Sequence, residues 1–185
     1  MQTHFTADQL DQPPIAEANG ILRACVHCGF CLSSCPTYAL TGDELDSPRG
    51  RIYLIKNMLE RGGAPDADTV HHIDRCLSCM SCLTACPSGV DYLHLVDTAR
   101  AHIETHHRRS LADRLLRWLM ATVLPRPRVF RAALTMAQPA RMFRGLMPKR
   151  LRRLTEFAPK KIPRSVSLVG VHRPDGQPVK RIAML

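Results

Sequence analysis

Cys25-Val26-His27-Cys28-Gly29-Phe30-Cys31-Leu32-Ser33-Ser34-Cys35-Pro36 returns, in the same spacing, as Cys76-Leu77-Ser78-Cys79-Met80-Ser81-Cys82-Leu83-Thr84-Ala85-Cys86-Pro87. Both stretches read C-x2-C-x2-C-x3-C-P and together they use all eight cysteines of the chain. Three cysteines at such short intervals wrap one loop around three corners of an iron–sulfur cube, with backbone N–H groups free to point at the sulfurs. The fourth lies one residue further on and points away from that cube. The proline after it lacks an N–H, and its fixed φ turns the chain out of the loop.

This is the run by which bacterial ferredoxins hold [4Fe–4S] clusters, and in two-cluster proteins the fourth cysteine ligates the other cluster. The expectation is therefore two [4Fe–4S] clusters with crossed ligands. Cys25, Cys28, Cys31 and Cys86 hold the first, and Cys76, Cys79, Cys82 and Cys35 hold the second. Each motif thereby staples the other, and metal binding adds folding free energy to a core poor in aromatics, which make up 5% of the chain. Structural zinc is the competing reading. It usually takes two C-x2-C pairs or cysteine with histidine, and a third cysteine at the same interval in both motifs fits it badly. Disulfides fit worse, because neighbouring cysteines on one loop cannot all pair with acceptable geometry.

Charge divides the 185 residues unevenly. The formal net charge is +10, but the stretch from Arg100 to Arg164 holds 17 Lys+Arg against 3 Asp+Glu, leaving a mildly acidic remainder. Such a basic segment meets an acidic partner protein, an anionic membrane surface or nucleic acid. Nucleic acid is the poorest match, since aromatics are few and no binding motif is present. Partner docking, a membrane-surface segment and a solvated linker stay open. The polar start, Met1 to Asp11, lacks the apolar run of an export signal. No stretch approaches the ~18 apolar residues of a membrane span. These features predict a cytoplasmic protein, with peripheral contact to the membrane as one use of the basic segment.

Helical signals surround both motifs. Ile15–Ala24 follows Pro13-Pro14 into the first loop. Ser47-Pro48 opens a helix with Ile52, Leu54, Ile55, Met58 and Leu59 on its apolar side, closed by Arg61-Gly62-Gly63. Asp66 or Asp68 caps a third that runs towards Cys76. A fourth runs from Asp91 to about His106, with Leu93, Leu95, Val96, Ala99 and Ile103 inward. Ser110 to Leu124 is a further helix, stopped by Pro125-Arg126-Pro127, after which prolines at 139, 148, 159 and 163 divide the chain into short pieces. The fold class is mainly α: an α-helical ferredoxin-like domain with two cluster-binding loops over residues 1–108, then a basic helical linker or docking segment over 109–164. Residues 165–185 read as the start of a truncated C-terminal domain, because Val179–Leu185 looks like a strand with no polar tail. The compact βαββαβ ferredoxin fits less well, with motifs 51 residues apart and helical sequence between them.

Arg49 and Arg51 have two readings, a solvated helix start or positive charge beside an anionic cluster that raises its potential. His27 is a spacer where the first loop bulges away from the cube. His71-His72 and His106-His107 read as exposed helix-end pairs. No G-x-G-x-x-G flavin or nucleotide fingerprint and no acid–base constellation is present, so substrate chemistry belongs to a partner.

The two motifs joined by Thr41-Gly-Asp-Glu-Leu-Asp-Ser-Pro-Arg-Gly-Arg-Ile52 resemble the glycolate oxidase iron–sulfur subunit. The resemblance extends from about Leu10 to Leu185 and includes the arginine–proline segment. The cysteine pattern alone is shared with iron–sulfur subunits of lactate-utilisation and anaerobic glycerol-3-phosphate dehydrogenase complexes. The resemblance implies work beside flavin-containing subunits, where glycolate is oxidised to glyoxylate and electrons leave through the iron–sulfur subunit to a membrane acceptor. That family also carries a cysteine-rich C-terminal half. No cysteine follows Cys86 here, which implies that this half is missing.

Overall fold

The computed structural model describes residues 1–140 and the isolated positions 145, 152, 159 and 162. The strand expected at 179–185, and the domain expected from 165, lie outside the described residues. Among the described residues every regular element is helical, as the fold class predicts. Two compact units divide at Arg109 and Ser110.

The first unit holds α1 (Ala7–Leu10), α2 (Pro13–Ala24), α3 (Pro36–Thr41), a 3₁₀ turn (Glu44–Asp46), α4 (Pro48–Arg61), α5 (Ala67–Asp74), α6 (Ser81–Thr84) and α7 (Tyr92–His106). The capping signals act as read. The Ser47 hydroxyl accepts from the Gly50 N–H at 2.9 Å and Pro48 occupies the first turn of α4. Gly62 ends that helix at φ 65°, a conformation that costs glycine little. Asp66, not Asp68, caps α5, accepting from the Thr69 N–H at 2.7 Å.

α2, α4, α5 and α7 pack around one core. It is built from Ala18 and Leu22, from Ile52, Ile55, Met58 and Leu59, from Val70 and Ile73, and from Leu95, Val96, Ala99 and Ile103. Burying each of the larger aliphatic side chains contributes about 1.5–3 kcal/mol before entropy is counted. One inward assignment on α7 is corrected: Leu93 is 38% exposed, whereas Tyr92 is 4% exposed. Tyr92, Leu95, Val96, Ala99 and Ile103 follow the i, i+3, i+4, i+7 spacing of one helical stripe, and Leu93 stands one residue, 100° of rotation, off it. The polar start also has structure that composition did not reveal. Thr6 and Gln9 form a capping box on α1, and the Gln9 amide donates to the carbonyls of Leu59 and Glu60 at the end of α4.

In the second unit, α8 (Leu111–Val123) is capped by Ser110. Of the prolines expected to divide the chain, Pro139 falls within a helix, and those at 148 and 163 lie outside the described residues. α9 runs from Pro127 to Ala140; Pro127 sits at the helix start, where its missing N–H costs nothing, and Pro139 lies inside the helix. Leu111, Leu115, Trp118, Leu124 and Met136 are exposed on this pair. No helix among the described residues is long and apolar enough to cross a membrane.

Candidate metal centre

Two loops carry the cysteines, and they are shaped alike. The residue before the second cysteine of each motif, His27 at φ 56° and Ser78 at φ 51°, is left-handed. So is the residue after it, Gly29 at φ 85° and Met80 at φ 58°. Left-handed backbone costs a non-glycine residue about 1–2 kcal/mol. Repeated at matching positions in both loops, it curls successive N–H groups into a concave nest suited to anionic ligands.

Tertiary packing brings the sulfurs into two groups. One pocket, with about 440 Å³ of space, is lined by Cys25, Cys28 and Cys31 of the first loop and by Cys82 and Cys86 of the second. The other, of about 320 Å³, is lined by Cys76, Cys79 and Cys82 and, from the first loop, by Cys35. Both walls include Pro48, Cys82 and Tyr92, so the pockets adjoin. All eight cysteines are unbridged; Cys28 and Cys79 are exposed and the other six at least partly covered.

The sulfurs act on one another within and across the two pockets. Burial pushes the Cys31 thiol up, and the nearby Cys25, Cys28 and Cys86 sulfurs add to the shift. Burial pushes Cys82 to about 11, reinforced by Cys31, Cys76 and Cys35. Four thiols brought together under partial burial resist shared ionisation, and a bound cation removes that conflict by taking the thiolates as ligands. The donor sets thus fit a thiolate-bound cluster. An orphaned polar atom supports this: Nε2 of His27, in the wall of the first pocket, is buried with no partner in the protein.

Residues that sequence reasoning passed over hold the loops. Arg100, from α7, donates to the Cys76 carbonyl at 2.8 Å and the Ser78 hydroxyl at 2.6 Å. The Tyr92 hydroxyl donates to the Cys76 sulfur at 3.7 Å. The Val90 N–H donates to the Cys86 sulfur at 3.5 Å. None carries a sequence signal, since each acts from an adjoining element through a fold-dependent approach.

The two arginines of the linking sequence part company. Arg49 is one-third exposed and paired with Glu44 at 2.7 Å. Arg51 is 1% exposed. Its Nε donates to the His72 carbonyl at 2.8 Å, and its terminal nitrogens reach Thr37 Oγ1 at 3.0 Å, Asp46 Oδ1 at 3.4 Å and Cys35 Sγ at 3.9 Å. The exposed reading of the His71-His72 pair is corrected for His72, which is buried and stands beside Asp46. Gly50 lies between the arginines for a steric reason: a Cβ there would collide with the Glu44 carbonyl. Only glycine lets the 3₁₀ turn lie close enough on α4 to deliver Asp46 to Arg51.

Residues 21–90 match the 4Fe-4S dicluster domain family. The likeness read in the sequence also holds. The glycolate oxidase iron–sulfur subunit of Escherichia coli (strain K12) is 49% identical over 152 residues, 82% of this chain and 36% of the relative. The probable glycolate oxidase iron–sulfur subunit of Bacillus subtilis (strain 168) is 44% identical over 99 residues, 53% of this chain and 22% of the relative. A fumarate reductase iron–sulfur subunit of Mycobacterium tuberculosis (strain CDC 1551 / Oshkosh) is 31% identical over 93 residues, 47% of this chain and 37% of the relative. The chain spans little more than a third of the E. coli relative's length. No solved structure matches.

Proposed function

We propose that the chain is the electron-transfer subunit of a glycolate-oxidising complex, binding two [4Fe–4S] clusters and working between flavin-containing subunits and a membrane acceptor. The carrying observation is that each pocket is lined by three cysteines of one loop together with the final cysteine of the other, with Cys82 in the wall of both, which supports crossed ligation. Cys25, Cys28, Cys31 and Cys86 hold one cluster in this reading, and Cys76, Cys79, Cys82 and Cys35 the other. When bound, a [4Fe–4S] cluster supplies reversible one-electron chemistry at a potential set by charge, hydrogen bonds to sulfur and exposure.

The protein's own part is to bind, orient and shield. The left-handed turns curl each cysteine loop into a shape suited to an anionic group. Tyr92 and Pro48 fill the ground between the pockets. Val26 and Phe30 on the first loop, and Leu77 on the second, are about two-thirds exposed and form apolar rims beside Cys28 and Cys79. These rims suit electron exchange with docked partners, because each brings a partner close to one cluster edge. The glycolate reading is supported by the relatives' names. The cytoplasmic face of the membrane is the place of action in this reading, supported by the basic charge of the segment after Arg100.

Anaerobic purification and reconstitution test the site. About eight iron and eight acid-labile sulfide per chain are expected, and a plateau at four iron or stoichiometric zinc overturns the two-cluster reading. For the complex, glycolate is expected to bleach the visible absorption of the chain only when the flavin-containing subunits are present. Bleaching by lactate or glycerol 3-phosphate and not by glycolate assigns the chain to a different dehydrogenase.

A further inference from the structure

The pockets differ in what stands behind them. Behind the second, Thr37 Oγ1 lies 3.1 Å from the Cys35 sulfur and Arg51 Nη1 lies 3.9 Å from it. The Thr37 hydroxyl also donates to the Asp46 carbonyl at 2.9 Å and accepts from Arg51 at 3.0 Å. A cysteine ligated as thiolate has no proton to give and becomes an acceptor only. The Arg51 N–H is then a donor aimed at it, and the single hydroxyl hydrogen of Thr37 is shared between the Cys35 sulfur and the Asp46 carbonyl. The guanidinium is 1% exposed, so water screens it little. Its neighbours leave a surplus of positive charge: Arg51 and Arg75, at 2.8 Å, both face the one carboxylate of Asp46. The arginine in the wall of the first pocket, Arg49, is part-exposed and engaged by Glu44, so its charge is better screened than that of Arg51.

We propose that Arg51 and Thr37 raise the reduction potential of the cluster held by Cys35, Cys76, Cys79 and Cys82, by donating to the Cys35 sulfur and holding buried positive charge against it. The inference rests on the reading that Cys35 is a ligand of that cluster. Reduction adds one electron, and so one negative charge, to a site already made anionic by four thiolates; no bond breaks and no proton moves. A hydrogen bond to sulfur and a nearby cation stabilise that added charge, so the reduced form gains more than the oxidised form. Arg51 and Thr37 are positioning and tuning residues, acting on the cluster through the Cys35 sulfur.

The test is a redox titration of the full chain, followed by EPR with dithionite as reductant, on Arg51→Gln, Arg51→Lys, Thr37→Val and Thr37→Ser. Iron and sulfide are counted first. Wild-type iron content in the variants separates tuning from ligation, and an iron count below eight in the unmutated chain faults the ligand reading instead. With iron intact, Thr37→Val and Arg51→Gln are expected to lower one of the two potentials and leave the other in place. Arg51→Lys keeps the charge and is expected to shift less than Arg51→Gln; Thr37→Ser keeps the hydroxyl and is expected to restore the wild-type value. Should Arg51→Gln lose its cluster, the Thr37 pair carries the test, because Thr37→Val keeps the shape and removes the hydroxyl, while Thr37→Ser restores it. Wild-type potentials in Thr37→Val, or equal shifts of both clusters, overturn the proposal.

Discussion

Nδ1 of His72 stands 2.9 Å from Oδ1 of Asp46, and both side chains are buried although 26 residues separate them. Asp46 is the hub of a network that joins the 3₁₀ turn to α4 and α5, with Arg51 and Arg75 completing it. Burial pushes the Asp46 carboxyl up. The His72 hydrogen bond, together with the charges of Arg75, His72 and Arg51, outweighs burial and holds it below the usual carboxylate range.

Asp46→Asn keeps the shape and removes the charge, leaving Arg51 buried without its counter-ion. Breaking a buried pair from one side costs about 3–5 kcal/mol. Asp46→Asn is expected to lower the urea midpoint of the cluster-loaded protein sharply, whereas Glu44→Gln, which breaks the exposed pair with Arg49, lowers it by less than about 1 kcal/mol in equivalent stability. Equal effects of the two would count against a buried hub.

Gly50→Ala places a methyl group against the Glu44 carbonyl, which is backbone and cannot swing aside. Overpacking of this kind costs about 1–3 kcal/mol. Gly20, in α2, has open space where a Cβ would go, and Gly20→Ala is expected to be neutral or stabilising by up to about 1 kcal/mol. Thermal denaturation of the two variants side by side checks the contrast.

Asp66→Ala removes the N-cap of α5 and is expected to cost about 1 kcal/mol, while Asp66→Asn costs less because asparagine also caps. The Thr69 backbone N–H is the main reason that the Asp66 carboxyl is held at about 2, with Arg61 assisting. Because the folded value lies below the unfolded one, this stabilisation is complete above about pH 4 and is lost only as pH falls towards 2. The penalty of Asp66→Ala, measured by urea unfolding, is therefore expected to stay level from pH 7 to 5. A penalty that titrates in that interval would show that another group is responsible.

Crossed ligation makes an unusual prediction for double variants. Cys35→Ser with Cys76→Ser touches one ligand set and should leave one cluster intact, whereas Cys35→Ser with Cys25→Ser touches both. EPR of the reduced proteins distinguishes them, and damage to a single cluster in the second pair would refute the crossing.

Cluster removal should unfold more than the loops. The pockets draw walls from α4, α6 and both cysteine loops, and metal binding contributes ~10 kcal/mol or more in small domains held by structural zinc. The chelated, reduced apoprotein is expected to lose much of its far-ultraviolet helical signal. An apoprotein spectrum that overlays the holoprotein's contradicts this.

The sequence by itself determined the chemistry and the local elements. Ligand spacing is a property of one loop, so two C-x2-C-x2-C-x3-C-P runs pointed to cluster binding before any folding was considered. Helix starts and stops are equally local. Ser47-Pro48, Gly62 and Asp66 act on the backbone within three or four residues, and the apolar stripe of α7 follows from 3.6 residues per turn, with Leu93 misassigned because it neighbours that stripe. Tertiary structure alone decided which arginine is buried, that His72 meets Asp46, that Arg100 clamps the second loop and that Gly50 must be glycine. Each of these depends on two segments approaching from 6 to 26 residues apart in sequence. Burial and the strength of an ionic contact are properties of the surrounding packing, and no local pattern separates Arg49 from Arg51 until helix α4 is laid against its neighbours.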